Sequence, residues 1–202
     1  MTAPSAITFW FDVHSPWCYL ASHQIGDLAR RHDVDLVWRP LHLANLMTAI
    51  GGMQPLEQSS ARVAWYRQDL RDHAELYGLP LKPHSDYPLR PSRALRAAIY
   101  AEERGLAEPF VTSVMAGYWA DGADISDLAV LQDMADEVGL GPRSLMEIVE
   151  DPTYKRALDA NTSEAAACGI FGVPSFVVRD RLFFGTDRLF LLDRLLAGSS
   201  GG

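Results

Sequence analysis

Strand-forming sequence is confined to the two ends of this 202-residue chain, and that placement limits the possible folds more than any other feature. At the start, "AITFWFDV" is an apolar run rich in Ile, Phe, Trp and Val, bounded by polar residues, which predicts a buried strand. A helix follows from Ser15-Pro16, because serine is a favoured N-cap and proline suits the first helical position. Tyr19, Leu20, Ile25, Leu28 and Ala29 then recur at roughly helical spacing as far as "RRHD". "VDLVWRPLHL" predicts a second strand, and strand, helix, strand so early points to a right-handed parallel βαβ unit. At the far end, "PSFVVRDRLFFG" is two short strands around the turn "RDR", followed by the helix "DRLFLLDRLLAG".

From about Ala44 to Asp159 the pattern is almost wholly helical. It predicts helices over Ser59 to Tyr77, Ser92 to Glu103, Glu108 to Trp119, Ser126 to Val138, Pro142 to Val149 and Pro152 to Cys168, separated at "GLPLKP", "DYPLRP", "ADGAD" and "GLGP". The expected fold is α/β: a thioredoxin-like domain built from residues 1–43 and 160–198, carrying an inserted all-helical domain at 44–159. Residues 199–202 have the composition of a flexible tail.

Composition removes several function classes. A 48% hydrophobic and 22% charged chain is that of an ordinary globular protein, and no run reaches the roughly 20 apolar residues of a membrane span. The start "MTAPSAITFWFDV" has neither the basic nor the apolar region of a signal peptide, so a cytoplasmic location is expected. A formal charge of −8 argues against nucleic acid or an anionic membrane as partner. Cys18 and Cys168 are too few for a disulfide framework and too far apart for a metal motif, and no histidine among His14, His23, His32, His42, His73 and His84 has ligand spacing, so no metal is expected.

Three stretches could carry chemistry. "SPWC" has the outline of a Cys-x-x-Cys redox loop with Ser15 in the attacking position. A helix N-terminus stabilises anions, but a serine there does not ionise near neutrality; it can cap the helix, or donate a hydrogen bond to a thiolate brought by another molecule. Cys18 is expected to be structural. "GIFGVPSF" places Val173-Pro174 directly before a strand, where a thioredoxin-like fold keeps a cis-proline whose neighbour offers backbone groups to a thiol peptide. "FGTDRL" offers Thr186 or Asp187 as a helix cap, and Asp187 can also hold an ammonium group.

Taken together, "FDVHSPWCYLA", "LRDHAELYGLPL", "YWADGADISD", "ANTSEAAACGIFGVPSFVV" and "LFFGTDRLFLLDRLL" resemble the 2-hydroxychromene-2-carboxylate isomerases and their relatives, the kappa-class glutathione transferases, from about Ala6 to Leu196. The resemblance implies a DsbA-like thioredoxin domain with a helical insertion. The family signature S-P-[FY]-S-[YW] is matched at Ser15, Pro16 and Tyr19, with Trp17 and Cys18 as departures. By that match Ser15 is the catalytic residue that hydrogen-bonds the glutathione sulfur, Val173 and Pro174 pair with its cysteinyl part, and Thr186 and Asp187 hold its γ-glutamyl end. Asn161 and Thr162 match a recurring Asn-Thr with a supporting role.

The chain departs from the family in its middle. Gly52 and Met53 stand where Asn is usual, Arg62 replaces a Lys of the cofactor and carboxylate site, Trp65 replaces Tyr, and Arg90-Pro91 replaces an Asn-Thr. Arg62 keeps the positive charge with a forked donor, so a carboxylate partner remains expected, and another low-molecular-weight thiol is an alternative to glutathione. Trp17, Trp65 and His14 are candidates for the substrate pocket, with His14 expected either to tune the thiol or, the preferred reading, to face solvent.

The implied activity is cis-trans isomerisation of a 2-hydroxychromene-2-carboxylate-type aromatic through a transient thiol adduct, by an enzyme that, like its relatives, dimerises. The alternatives are a kappa-type glutathione transferase or peroxidase, a DsbA-like thiol oxidoreductase, for which Ser15 removes the attacking thiol, and a binding protein that keeps the fold without catalysis.

Overall fold

Aromatic and β-branched residues that pack well on a pleated surface make up strand β1, Ile7–Phe11, in which Phe9 and Phe11 are completely buried. The computed structural model describes residues 6–53, 57–82, 89–141 and 143–199. Phe9 stacks on Phe176 at 5.1 Å between ring centroids and meets Trp38 edge-on at 5.0 Å, so β1 is the centre of the core. Helix α1, Pro16–Arg31, follows, then β2, Leu36–Pro40, which runs parallel to β1 from the pair Ile7 and Leu36 to the pair Phe11 and Pro40.

The chain returns to the sheet in β3, Ser175–Val178, antiparallel to β1, and turns at Arg179 (φ 59°) into β4, Arg181–Phe184. The sheet order is β2-β1-β3-β4. Parallel pairing needs a long crossover and antiparallel pairing only a hairpin, which is why the β sequence falls into these two terminal blocks.

The intervening chain forms α2 (Leu43–Ile50), α3 (Ser60–Leu76), α4 (Ser92–Glu103), α5 (Ala107–Ala116), α6 (Leu128–Glu137), α7 (Leu145–Glu150) and α8 (Pro152–Ala167); the chain ends in α9 (Leu189–Ser199). The sequence pattern did not single out α2, because its apolar "LANLM" lies in one run with the preceding strand residues "PLHL". The helix expected to run on to Trp119 instead widens after Ala116 into a π turn over Gly117–Asp121, closed by Gly122 at φ 74°.

One buried cluster extends from the sheet through α4, α5 and α8. Residue 160, where the sequence returns the chain from the insert, lies inside α8, so a division at that point would be one of topology, with α8 serving both parts. The Pro142 start of the expected α7, His84, and the tail beyond residue 199 lie outside the described residues.

Candidate active site

The turn after β1 is built around Asp12, a carboxylate only 1% exposed. Its Oδ1 accepts the His14 N–H at 2.9 Å, its Oδ2 accepts the Leu43 N–H at 2.8 Å, and its backbone carbonyl accepts the Ser15 N–H at 3.0 Å. Two backbone donors on a buried carboxylate fix the loop that delivers Ser15 to α1. Sequence reasoning missed Asp12; an acid directly following an apolar strand, in "FWFDV", was the signal that could have found it.

Ser15 caps α1 in extended geometry (φ −93°, ψ 117°), and its Oγ accepts the Cys18 N–H at 3.3 Å. Complete burial pushes the Cys18 thiol far up, with the Ser15 side chain acting in the opposite direction as a smaller cause. Cys18 therefore stays protonated and is no nucleophile. With Oγ accepting from Cys18, the hydroxyl keeps its proton as a donor at the positive end of a 16-residue helix.

Three chain segments meet this helix end. The Val173–Pro174 bond is cis, as expected, and Ser175, next in the chain, pairs with Trp10 of β1. The Pro174 carbonyl accepts the Gly185 N–H at 2.9 Å, and the buried Thr186 hydroxyl donates to the Trp17 carbonyl at 2.9 Å. Ser15, the 173–174 segment and the 186–187 turn are thereby tied around one cleft. Gly185 (φ 95°) permits that turn, because a side chain there would be strained and would meet the Asp187 carboxylate. Asp187 is half exposed and ion-paired with Arg188.

The cleft has a second wall on α3. Tyr66, Asp69, His73 and Tyr77 follow one another at spacings of three or four residues and so share a face. The Trp17 ring meets His73 edge-on at 5.1 Å and Tyr66 at 6.1 Å. Tyr77 lies at the foot of this wall, its hydroxyl pushed up by burial first and by the Asp187 charge last. Asp69 matches the Asp of the family pattern that follows Arg62, but Tyr66, His73 and Tyr77 were not foreseen, although the three-four spacing of aromatics in "WYRQDLRDHAELY" carried the signal.

Arg62 lies on the same face near the start of α3; it is exposed and forms no side-chain hydrogen bond or ion pair among the described residues. Trp65 is 56% exposed and makes no ring contact among the described residues, so the structure does not bring it to Trp17. His14 corrects the preferred solvent-facing reading: it is half-buried against Tyr118, ring centroids 5.7 Å apart, and its pKa is lowered mainly by burial, with Asp12 raising and His42 lowering it. Trp119, another unforeseen neighbour, donates its indole N–H to the Val13 carbonyl at 3.0 Å and pins the π turn onto the Ser15 loop.

Asn161 and Thr162, expected in a supporting role, are buried on α8 and reach the chain at the end of β2. The Asn161 amide donates to the Pro40 carbonyl at 3.1 Å and accepts from Arg39, and the Thr162 hydroxyl accepts the His42 N–H at 3.0 Å. Both hold the end of β2. Among the described residues, no group of three or more His, Cys, Asp or Glu could hold a metal, and no helix is long and apolar enough to cross a membrane.

The family model of the DSBA-like thioredoxin domain matches residues 6–197. A 2-hydroxychromene-2-carboxylate isomerase of Sphingobium xenophagum is 32% identical over 191 residues, 94% of this chain and 97% of that relative. An enzyme of the same name from Pseudomonas sp. (strain C18) is 27% identical, covering 96% of this chain and 91% of the relative. The solved structure of a selenomethionine 2-hydroxychromene-2-carboxylate isomerase superposes with a TM-score of 0.86 at 24% identity, covering 96% of each chain.

Proposed function

The chain belongs to the DSBA-like thioredoxin domain family and, within it, to the 2-hydroxychromene-2-carboxylate isomerases, and from that premise we propose that it is a glutathione-dependent cis-trans isomerase of 2-hydroxychromene-2-carboxylate-type aromatic substrates. One observation carries the reading: the contacts from Pro174 to Gly185 and from Thr186 to Trp17 gather a hydroxyl donor, a backbone edge and a carboxylate around the N-terminus of α1.

The residues fit glutathione group by group. Ser15 has a proton to give and a helix dipole behind it, which suits a thiolate. Among the described residues the Val173 backbone carries no hydrogen bond, leaving it an edge for a peptide unit. Asp187 is exposed enough to accept an ammonium group beside Arg188, and Arg188 suits the neighbouring carboxylate.

Bound glutathione would supply a thiolate able to add to the conjugated double bond of the substrate; opening of the hemiketal ring would free the resulting single bond to rotate, and elimination of the thiol would restore the double bond as trans. Ser15 holds the sulfur as an anion at the start and receives it back as one at the end. Lowering the thiol pKa by one unit corresponds to about 1.4 kcal/mol, within reach of one hydroxyl and a helix terminus. Trp17, with Tyr66 and His73, offers an apolar wall to the aromatic ring, and Arg62 on the same α3 face offers a guanidinium to its carboxylate. His14, a half-buried imidazole beside Ser15, completes the pocket. The proposed setting is cytoplasmic, and exposed Leu182, Phe184, Phe190 and Leu191 on β4 and α9 suit burial in a homodimer.

The test is an isomerisation assay on 2-hydroxychromene-2-carboxylate with and without glutathione, beside conjugation of glutathione to a halogenated aromatic. Isomerisation only when glutathione is present is the expected result. Conjugation without isomerisation would establish the transferase reading instead.

A further inference from the structure

A second charged cavity, of about 470 Å³, lies at the N-terminus of α4 and is lined by Arg90, Arg93, Arg96, Ser92 and Ser126. None of these residues belongs to the cleft around Ser15. Several other arginines of this acidic chain sit on carboxylates: Arg30 on Asp27 and Glu108, Arg39 on Glu164, Arg143 on Asp151. The three cavity arginines have no carboxylate partner among the described residues. Arg93 donates to the Ser126 carbonyl at 2.8 Å and Arg96 to the Val149 carbonyl at 2.7 Å, contacts that aim the side chains without neutralising them. The Arg96 Nε is buried with no hydrogen-bond partner among the described residues.

The helix adds donors to this charge. Pro91 stands at the N-cap with no side chain able to accept, and the first helical bond is from the Leu95 N–H to the Pro91 carbonyl at 3.0 Å, so the first-turn N–H groups have no side-chain cap. The nearby acid Asp124 accepts both the N–H and the hydroxyl of Ser126 on its Oδ1, at 2.8 and 2.5 Å.

We propose that this cavity binds the phosphate of a small organic phosphate. Three forked guanidiniums and a row of N–H donors exceed what one carboxylate can use, whereas a phosphate monoester brings a charge of about −1.5 to −2 and three acceptor oxygens. A cavity of about 470 Å³ also has room for an organic part, since small-molecule sites begin at about 300 Å³.

Isothermal titration at constant ionic strength in chloride, using glycerol 3-phosphate, inorganic phosphate and succinate, tests the assignment. Glycerol 3-phosphate should bind tightest and succinate weakest, and the exposed pair R90A/R93A, its fold checked by circular dichroism, should weaken glycerol 3-phosphate binding by about tenfold or more. Absence of phosphate binding, binding of inorganic phosphate alone, unchanged affinity in the double variant, or displacement by glutathione would each overturn it. The readout is binding in the absence of any isomerase substrate, so it fails or succeeds independently of the activity assigned to the Ser15 cleft.

Discussion

Ser15 and Cys18 share a hydrogen-bonded turn and are both buried, but Ser15 is a capping hydroxyl at the helix end and Cys18 a thiol kept protonated by burial, and their substitutions should separate accordingly. Ser15→Ala removes the donor aimed at the proposed thiolate and should lower kcat/KM for isomerisation about 10²- to 10³-fold, the range for losing one preorganised donor. It also removes a helix cap, at about 1 kcal/mol of stability, so denaturant midpoints must be measured alongside. Cys18→Ala should keep most of the activity and lose stability by about 1–2 kcal/mol, as expected for emptying a small buried volume. A Cys18→Ala protein that folds but is inactive would contradict the inert role given to the thiol.

Two histidines set an acid limit at the same scale. Burial lowers the pKa of both His14 and His23, and His23 meets Tyr19 edge-on at 5.1 Å with its Nε2 buried and, among the described residues, unpartnered. The unfolded chain therefore binds protons first, at about pH 6.5, so the stability from the neutral imidazoles is complete above that pH and is lost as pH falls through it towards the depressed folded values. Urea midpoints should drop between about pH 8 and about pH 5, and His23→Phe should flatten part of that drop.

Elements decide whether separate motifs become one site. The Thr186 hydroxyl is the direct tie between the turn after β4 and the first turn of α1, so Thr186→Val should raise the KM for glutathione more than it lowers kcat, because the turn carrying Asp187 is released while Ser15 stays in place. Asp187→Asn should raise the same KM about tenfold, as for a lost charge-assisted contact, and leave Tm nearly unchanged, because its side chain is about half exposed. A Thr186→Val variant with unchanged KM would remove the tie from the account.

The same scale shows what could be read in advance. Ser15-Pro16, the dipeptide Val173-Pro174 and Gly185-Thr186-Asp187 carry local signals, a cap, a proline before a strand and a turn, so their elements were legible from neighbours alone. The strands at both ends followed from apolar runs of the right length. What escaped depends on contacts distant in sequence. Asp12 matters because it holds Leu43, His73 because Trp17 packs on it, and Trp119 because it reaches Val13. The inward packing of His14 likewise depends on Tyr118, more than a hundred residues away, and no periodicity announces it.

At the scale of the whole molecule, the sheet and the insert act as two sides of one cleft, with Trp119 and Tyr19 as the rivets: the indole donates to Val13 and the Tyr19 hydroxyl donates to the Pro80 carbonyl at 2.9 Å. On the proposed function, a serine suffices at the start of α1, because the reactive sulfur would be supplied by a cofactor and the protein would have only its ionisation to manage. The most direct measurement is the ultraviolet thiolate absorbance of enzyme-bound glutathione followed against pH in the wild type and in Ser15→Ala. The thiol should titrate about one unit or more below the ~8.5 of a free cysteine in the wild type and return towards that value in the variant. Equal titration in both proteins, or no thiolate formed near neutrality by the wild type, would contradict the assignment of Ser15.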